Sequence, residues 1–326
     1  MFTQAPASDI PHDPAAIALR LLDGPADDAH IGALLDTLPK VRAAELDPWV
    51  AARIAEVSDD LCPQDLAVIA ALIDLTSLSP EDTPESVQAL VAKAVAPGHG
   101  LPSTAAVCVH ADLVSTARQA LDAQGELATL PDAGQVALAA VAGAFPHGRS
   151  PLAVRAAEMS HVVTAGADEV DIVIDRGALL AGRWAEVYDW VALARRLVQR
   201  PDGTRARLKV ILESGDLPSY DLVFRAAIIA LLGGADMLKT STGKGRHGAT
   251  PAAAAILLQA VAHWRDETGL DVGVKISGGV RTVAQAAQYL HLARALNGTQ
   301  RADADHLRFG ASSLLDDVIA RVDPLR

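Results

Sequence analysis

Hydrophobic positions in this chain follow two alternating rhythms. From about residue 66, short apolar runs recur at 66–75, 105–110, 136–143, 169–174, 208–213, 236–241, 272–277 and 307–312. Each has roughly the length of a strand, and most are rich in β-branched residues or closely flanked by Gly or Pro. Between them, 152–165, 184–198, 219–232, 251–264 and 282–296 carry apolar residues at helical spacing. Pro151 and Pro251 suit first-turn positions, with Ser150 and Thr250 ahead of them as N-caps. Strands alternating with helices predict a parallel sheet. Their C-terminal ends return about every 34 residues, which predicts one TIM (β/α)8 barrel rather than two dinucleotide-binding halves. No Gly-x-Gly-x-x-Gly follows the first run, so the dinucleotide fingerprint is missing.

Residues 1–65 break this rhythm. Pro6, Pro11, Pro14, Pro25, Pro39, Pro48 and Pro63 separate helical patches, of which 43–57 sets Trp49, Ile54 and Val57 near one face. This part reads as a short helical N-terminal extension, a packing arm or a contact between copies, beside a barrel at 66–326. The opening residues, MFTQAPASDIPHD, lack the basic start and apolar run of a secretory leader. No apolar stretch reaches the length of about 18 residues that a membrane span needs. A cytoplasmic protein is expected. The net charge of −12 argues against a sequence-independent nucleic-acid or anionic-membrane binder, which needs clustered Lys and Arg. Cys62 and Cys108 are the only cysteines, so a disulfide framework is excluded.

Lysine is scarce beside arginine, so each lysine is worth locating. A strand interior should lack charge unless the charge is paired or used. Asp171, Lys209, Glu213, Lys239 and Lys275 lie inside the apolar runs. Lys239 and Lys275 stand one strand–helix unit apart, late in neighbouring strands about 4.8 Å from each other. If both point inward, repulsion and desolvation favour a neutral amine on at least one of them. A neutral amine is a nucleophile toward carbonyls, which is the condition for Schiff-base catalysis. Period-2 alternation puts Glu169, Asp171 and Val173 on one face, where Asp171 can balance charge or shuttle protons. Lys209, Ile211 and Glu213 share a face in the same way, as an ion pair or as support for the site.

Three Gly- or Ser-rich turns follow the late strands, around Thr242, Gly243 and Lys244, around Gly278, Gly279 and Arg281, and around Ser312 and Ser313. Barrels commonly hold phosphate in the loops after strands 7 and 8, where Gly allows close approach and Ser, Thr and Lys supply donors. Asp74 and Thr76 end the first strand, within reach of a substrate hydroxyl or as turn formers. His147 follows the third strand as a packing residue or a lining of the mouth. Cys108 reads as a small core residue. No His/Cys cluster has zinc spacing and no Gly-x-Ser-x-Gly elbow appears, so no metal is expected.

The stretches LIDLTSL, AAVCV, FPHG, GADEVDIVI, LKVILESG, ADMLKTSTGKG, ATP, VGVKISGGVRT and RFGASSLL occur in this order over roughly residues 72 to 315. In these the chain resembles the deoxyribose-phosphate aldolase family, class I Schiff-base lyases with a TIM barrel. The resemblance implies reversible cleavage of 2-deoxy-D-ribose 5-phosphate to D-glyceraldehyde 3-phosphate and acetaldehyde, in deoxyribonucleotide catabolism, with no cofactor. It implies Lys239 as the Schiff-base lysine, Lys275 as the neighbour that depresses its pKa, and Asp171 in a water-mediated proton relay. Gly243, Lys244, Gly278, Gly279, Ser312 and Ser313 would surround the phosphate, Asp74 and Thr242 would lie near the sugar hydroxyls, and Lys209 would support the charge network. Small molecules and a possible homodimer partner are implied, without nucleic acid or membrane. The chain departs from the family at Ile276-Ser277, where several relatives have Pro-Ala, and at His110-Ala111, where Tyr-Pro is frequent. It ends in DPLR without the tyrosine-ended tail of some members. Another class I barrel aldolase, for a different phosphorylated aldehyde or keto-acid, and a non-catalytic sugar-phosphate-binding barrel stay open as alternatives.

Overall fold

The protein is known from a computed structural model that describes residues 14–58, 61–124 and 136–322; the opening residues and the DPLR ending lie outside these. Among the described residues, eight parallel strands close into one barrel in chain order. They are β1 (Ile73–Thr76), β2 (Ala106–Val109), β3 (Ala137–Val141), β4 (Glu169–Val173), β5 (Arg207–Ile211), β6 (Met237–Lys239), β7 (Gly273–Ser277) and β8 (Leu307–Ala311). Four helices precede the barrel: α1 (Pro14–Leu22), α2 (Asp28–Thr37), α3 (Ala43–Ile54) and α4 (Pro63–Ala71). Those that follow the strands are α5 (Pro84–Val95), α6 (Val114–Ala123), α7 (Leu152–Thr164), α8 (Arg176–Leu180), α9 (Trp184–Leu197), α10 (Tyr220–Leu232), α11 (Pro251–Thr268), α12 (Val283–Asn297) and α13 (Leu314–Val322).

Alternation along each strand divides the core in two. Val107, Val170, Ile172, Val210, Leu238, Ile276 and Phe309 face outward and pack with the helices into one large apolar cluster. Inside the barrel the apolar cluster is small, consisting of Leu78, Cys108, Ala139 and Val141 with Phe145 against it. The charged side chains share the interior with Val173, Ile211 and Met237, which are also buried. The register sets Asp171 beside Lys209, Lys239 beside Lys275, and Lys275 beside Arg308. Long side chains need room, and Gly310 supplies it: a Cβ there would lie 2.8 Å from Lys275 Cε and 2.8 Å from Ser277 Oγ. On the N-terminal face of the barrel, a cavity of about 760 Å³ is lined by Asp168, Glu169, Arg205, Arg207, Asp305 and Arg308 among others.

The first predicted run is mostly helical. Residues up to Ala71 belong to α4, and the strand begins only at Ile73. Pro63 and Asp65 favour a helical first turn, and Leu66, Ile69 and Ala70 form its buried stripe. An apolar run of this length fits either element by pattern alone. The helix also crosses the expected boundary at residue 65. In α3 the fully buried residues are Leu46 and Val50, while Trp49, Ile54 and Val57 are only partly buried. Thr250 caps α11 by accepting from the Ala253 amide at 3.1 Å. Ser150 does not cap α7: Pro151 occupies the cap position and no side chain caps that end. Helices α1, α2 and α3 pack on α9 to α12, and α4 packs on α12 and α13. Among the described residues no helix is long and apolar enough to cross a membrane.

The tight fit around Gly310 generates a prediction. Gly310→Val should destabilise the fold by about 1–3 kcal/mol through overpacking against Lys275 and Ser277. Urea unfolding checks this as a lower midpoint at unchanged slope.

Candidate active site

The interior charges meet around one carboxylate. Asp171 Oδ2 lies 2.8 Å from Lys239 Nζ and 2.9 Å from Lys275 Nζ, and Oδ1 lies 3.1 Å from Lys209 Nζ. Asp74 forms the second node. It contacts Lys275 Nζ at 2.7 Å, Lys209 Nζ at 2.9 Å and Arg308 Nη1 at 2.6 Å. Glu169 forms the third, between Lys209 Nζ at 2.5 Å and Arg308 Nη2 at 3.1 Å. All seven side chains are buried. β1 contributes Asp74, β4 Glu169 and Asp171, β5 Lys209, β6 Lys239, β7 Lys275 and β8 Arg308. The cluster therefore also ties six of the eight strands to one another.

Burial penalises every charge here, and the partners decide which charges survive. For Asp171, burial pushes upward, but the Lys209, Lys239 and Lys275 ammonium groups outweigh it and hold the carboxyl far below the usual range. Asp74 is likewise held well below that range by Lys209, Lys275 and Arg308 against its burial. Lys275 and Lys209 are raised, since their carboxylate partners outweigh burial. Lys239 moves the other way. Burial lowers it, Asp171 opposes this, and the nearby Lys275 charge adds to the lowering. The one amine with a depressed pKa is thus the one at the C-terminal end of its strand, the end where barrel enzymes work.

The expected surroundings divide into two groups. Lys209 joins the charge cluster, whereas Glu213 does not pair with it. Glu213 takes a left-handed backbone (φ 52°) just past β5 and accepts from the Thr242 hydroxyl at 2.6 Å and the Thr242 amide at 3.2 Å. Asp74 faces three cations inside the barrel. Thr76 donates to the Asp74 carbonyl at 2.8 Å. The loops after β6, β7 and β8 gather at the C-terminal end. Gly243, Gly278 and Gly279 have positive φ, and Gly278 accepts from the Ala249 amide at 2.8 Å, joining the first two loops. Ser312 and Ser313 are exposed just ahead of α13. Lys244 is exposed, and its Nζ donates to the Leu78 carbonyl at 2.6 Å across the mouth. Arg281 is exposed after β7. His147 stands apart with Arg149, Arg176 and Asp216 around a cavity of about 340 Å³. Cys108 lies buried in the interior, where burial raises its thiol. Among the described residues no group of His, Cys, Asp and Glu could hold a metal ion.

Arg308 and Glu169 are full members of the cluster that were not singled out as site residues. Their signal was present, since both are charges inside apolar runs, the criterion that marked Asp171.

The pKa directions fix how stability should vary with pH. Asp171 and Asp74 contribute fully above the unfolded carboxylate value of about 3.9, and that contribution is lost as pH falls through their lower folded values. Lys209 and Lys275 contribute fully below about 10.4 and lose that contribution as pH rises through their raised folded values. Urea unfolding across pH should therefore show an acid loss of stability. Asp171→Asn should shallow that acid limb and cost about 3–5 kcal/mol at neutral pH, by leaving buried ammonium groups unpaired.

A family model described as DeoC/LacD family aldolase matches residues 68–318. Solved structures resemble the chain over most of its length. A protein from Coccidioides immitis assigned as a deoxyribose-phosphate aldolase is 28% identical, with TM-score 0.63, over 86% of this chain and 98% of that one. One from Toxoplasma gondii ME49 with the same assignment, in its apo form, is 26% identical, with TM-score 0.68, over 80% and 96%. The deoxyribose phosphate aldolase of Aeropyrum pernix, described as a tetramer, is 27% identical, with TM-score 0.58, over 88% and 100%. With a barrel of this topology and a family match across nearly all of it, the chain belongs to the DeoC/LacD family of aldolases.

Proposed function

We propose that the chain cleaves 2-deoxy-D-ribose 5-phosphate reversibly to D-glyceraldehyde 3-phosphate and acetaldehyde through a Schiff base on Lys239. The observation that carries this reading is the buried Lys239 amine, with its depressed pKa, 2.8 Å from Asp171 and beside the charged Lys275. A neutral amine so placed attacks an aldehyde carbon, and loss of water from the carbinolamine gives a protonated imine. That cation draws the electron pair of the C2–C3 bond as the C3 hydroxyl gives up its proton. The C3 fragment leaves as the aldehyde of glyceraldehyde 3-phosphate, and the two-carbon fragment remains on Lys239 as an enamine. Protonation of that enamine and attack by water release acetaldehyde and regenerate the amine.

Lys275 and Asp171 divide the proton work. Lys275 is held charged, so it serves as the donor. Asp171 is held ionised, so it accepts hydrogen bonds and aligns both lysines without keeping a proton itself. At the other end of the substrate, the turns bearing Gly243, Gly278 and Gly279 and the serines ahead of α13 form the phosphate cradle. Exposed amides near a helix N-terminus favour an anion, and Lys244 leaves its carbonyl contact to add charge. Thr242, held by Glu213, flanks the sugar hydroxyls.

Borohydride reduction in the presence of acetaldehyde, followed by peptide mass spectrometry, should place an ethyl group on Lys239. An adduct on Lys275 instead would exchange the two roles, and no adduct on folded protein would point to a barrel that binds without turnover. Lys239→Leu should abolish turnover at retained fold, with activity and circular dichroism as the two measurements. Ser312→Asp sets a carboxylate against the phosphate. It should raise KM for deoxyribose 5-phosphate by roughly tenfold or more while changing that for unphosphorylated deoxyribose little. Equal losses for both substrates would move the phosphate site elsewhere.

A further inference from the structure

The buried cluster contains more cations than carboxylates. Lys209, Lys239, Lys275 and Arg308 face Asp74, Glu169 and Asp171. Arg207 also approaches Glu169, at 3.8 Å, but it is partly exposed and matched by Asp305 at 2.6 Å, so it does not belong to the buried set. One positive charge is thus uncompensated among these buried side chains. Releasing one proton removes that excess. Arg308 cannot be the source, because a guanidinium does not deprotonate in proteins.

The contacts decide which lysine gives up the proton. Lys209 touches three carboxylates, and Lys275 touches two. Lys239 touches only Asp171, through the oxygen that Lys275 also contacts. Among the described residues, the neighbours from the other strands place no further carboxylate in ion-pairing contact with Lys239. Cys108 on β2 is a buried thiol, β3 supplies Ala139 and Val141, and Glu213 beyond β5 is engaged by Thr242. Lys239 is therefore the lysine whose charge is least supported.

Arg308 does not touch Lys239. It acts through a continuous line of contacts: Nη1 to Asp74 at 2.6 Å, Asp74 to Lys275 at 2.7 Å, Lys275 to Asp171 at 2.9 Å, and Asp171 to Lys239 at 2.8 Å. Its Nε donates to the Ala304 carbonyl and its Nη2 contacts Glu169, so the guanidinium is fixed from three sides. We infer that Arg308 is a positioning residue for the nucleophile: its permanent charge makes the buried cluster cation-rich and so keeps Lys239 a free amine at neutral pH. The inference rests on the Schiff-base reading of Lys239 and adds to it a residue at the opposite end of the barrel from the mouth. It also requires that changing the cluster's charge by one unit in either direction move the amine in opposite senses.

The experiment measures borohydride trapping of the acetaldehyde adduct on Lys239 across pH, together with kcat/KM, for the wild type, Arg308→Gln, Arg308→Lys and Glu169→Gln. Trapping should rise with pH as Lys239 loses its proton. Arg308→Gln should move that limb up by about one pH unit, so that trapping on the limb falls roughly tenfold at a given pH. Glu169→Gln should move it down by a similar amount, and Arg308→Lys should keep it near the wild-type position. Loosened packing would lower the plateau or shift both glutamine variants the same way. Should Arg308→Gln fail to fold, the downward shift in Glu169→Gln still supports the inference. An unmoved limb in the glutamine variants, or shifts of the same sign, overturns it. Absence of any Lys239 adduct in the wild type overturns the Schiff-base reading itself, and that result is read before any variant is made.

Discussion

Asp171 is a single carboxylate within ion-pairing distance of three buried lysine nitrogens. Its desolvation is costly, and only the convergence of the three lysines makes it tolerable. In turn, those lysines could not stay buried without it. This mutual dependence fixes Lys239, Lys275 and Lys209 in position, because a side chain that turned away would leave a buried charge unmatched. The chemistry and the stability of the barrel interior therefore rest on the same contacts. A barrel filled only with Val, Ile and Leu would be easier to fold, but it would have nothing with which to hold one amine neutral and its neighbour charged.

The surrounding fold serves that arrangement. The parallel register brings Lys239 level with Lys275, and Lys275 level with Arg308. Small residues help: Gly310 sits where a larger side chain would displace the Lys275 stem, and Ala106 and Ala139 are buried as well. The apolar packing has moved outward, to the layer between the strands and the helices. Adhesion comes mainly from that layer, and the inside carries the charge pattern.

Much of this was legible in the sequence. Strand spacing announced the barrel, and lysines within apolar runs announced the interior charges, since an unpaired charge there has no stable alternative. Helices α9, α10, α11 and α12 begin and end within a few residues of their periodic segments. The failures have physical causes. The run at 66–75 joins the end of a helix to a four-residue strand, and periodicity over so few positions does not separate them. Ser150 has the chemistry of a cap, but Pro151 takes that position. Lys209 and Glu213 share a spacing of four along the chain, yet the strand ends before Glu213 and its left-handed backbone turns it toward Thr242. Partners across the closing seam between β8 and β1, such as Arg308 and Asp74, depend on closure of the sheet, which no local pattern encodes.

The N-terminal helices α1 to α4 lie over α9 to α13, on one side of the helical ring. The barrel helices along that arc are covered by the chain's own residues. Leu152, Val154 and Leu180, the large apolar side chains left most exposed among the described residues, stand on α7 and α8, outside that arc. The two sides of the helical ring therefore present different surfaces: barrel helices stand bare along α5 to α8, while on the other side the extension forms the outer layer.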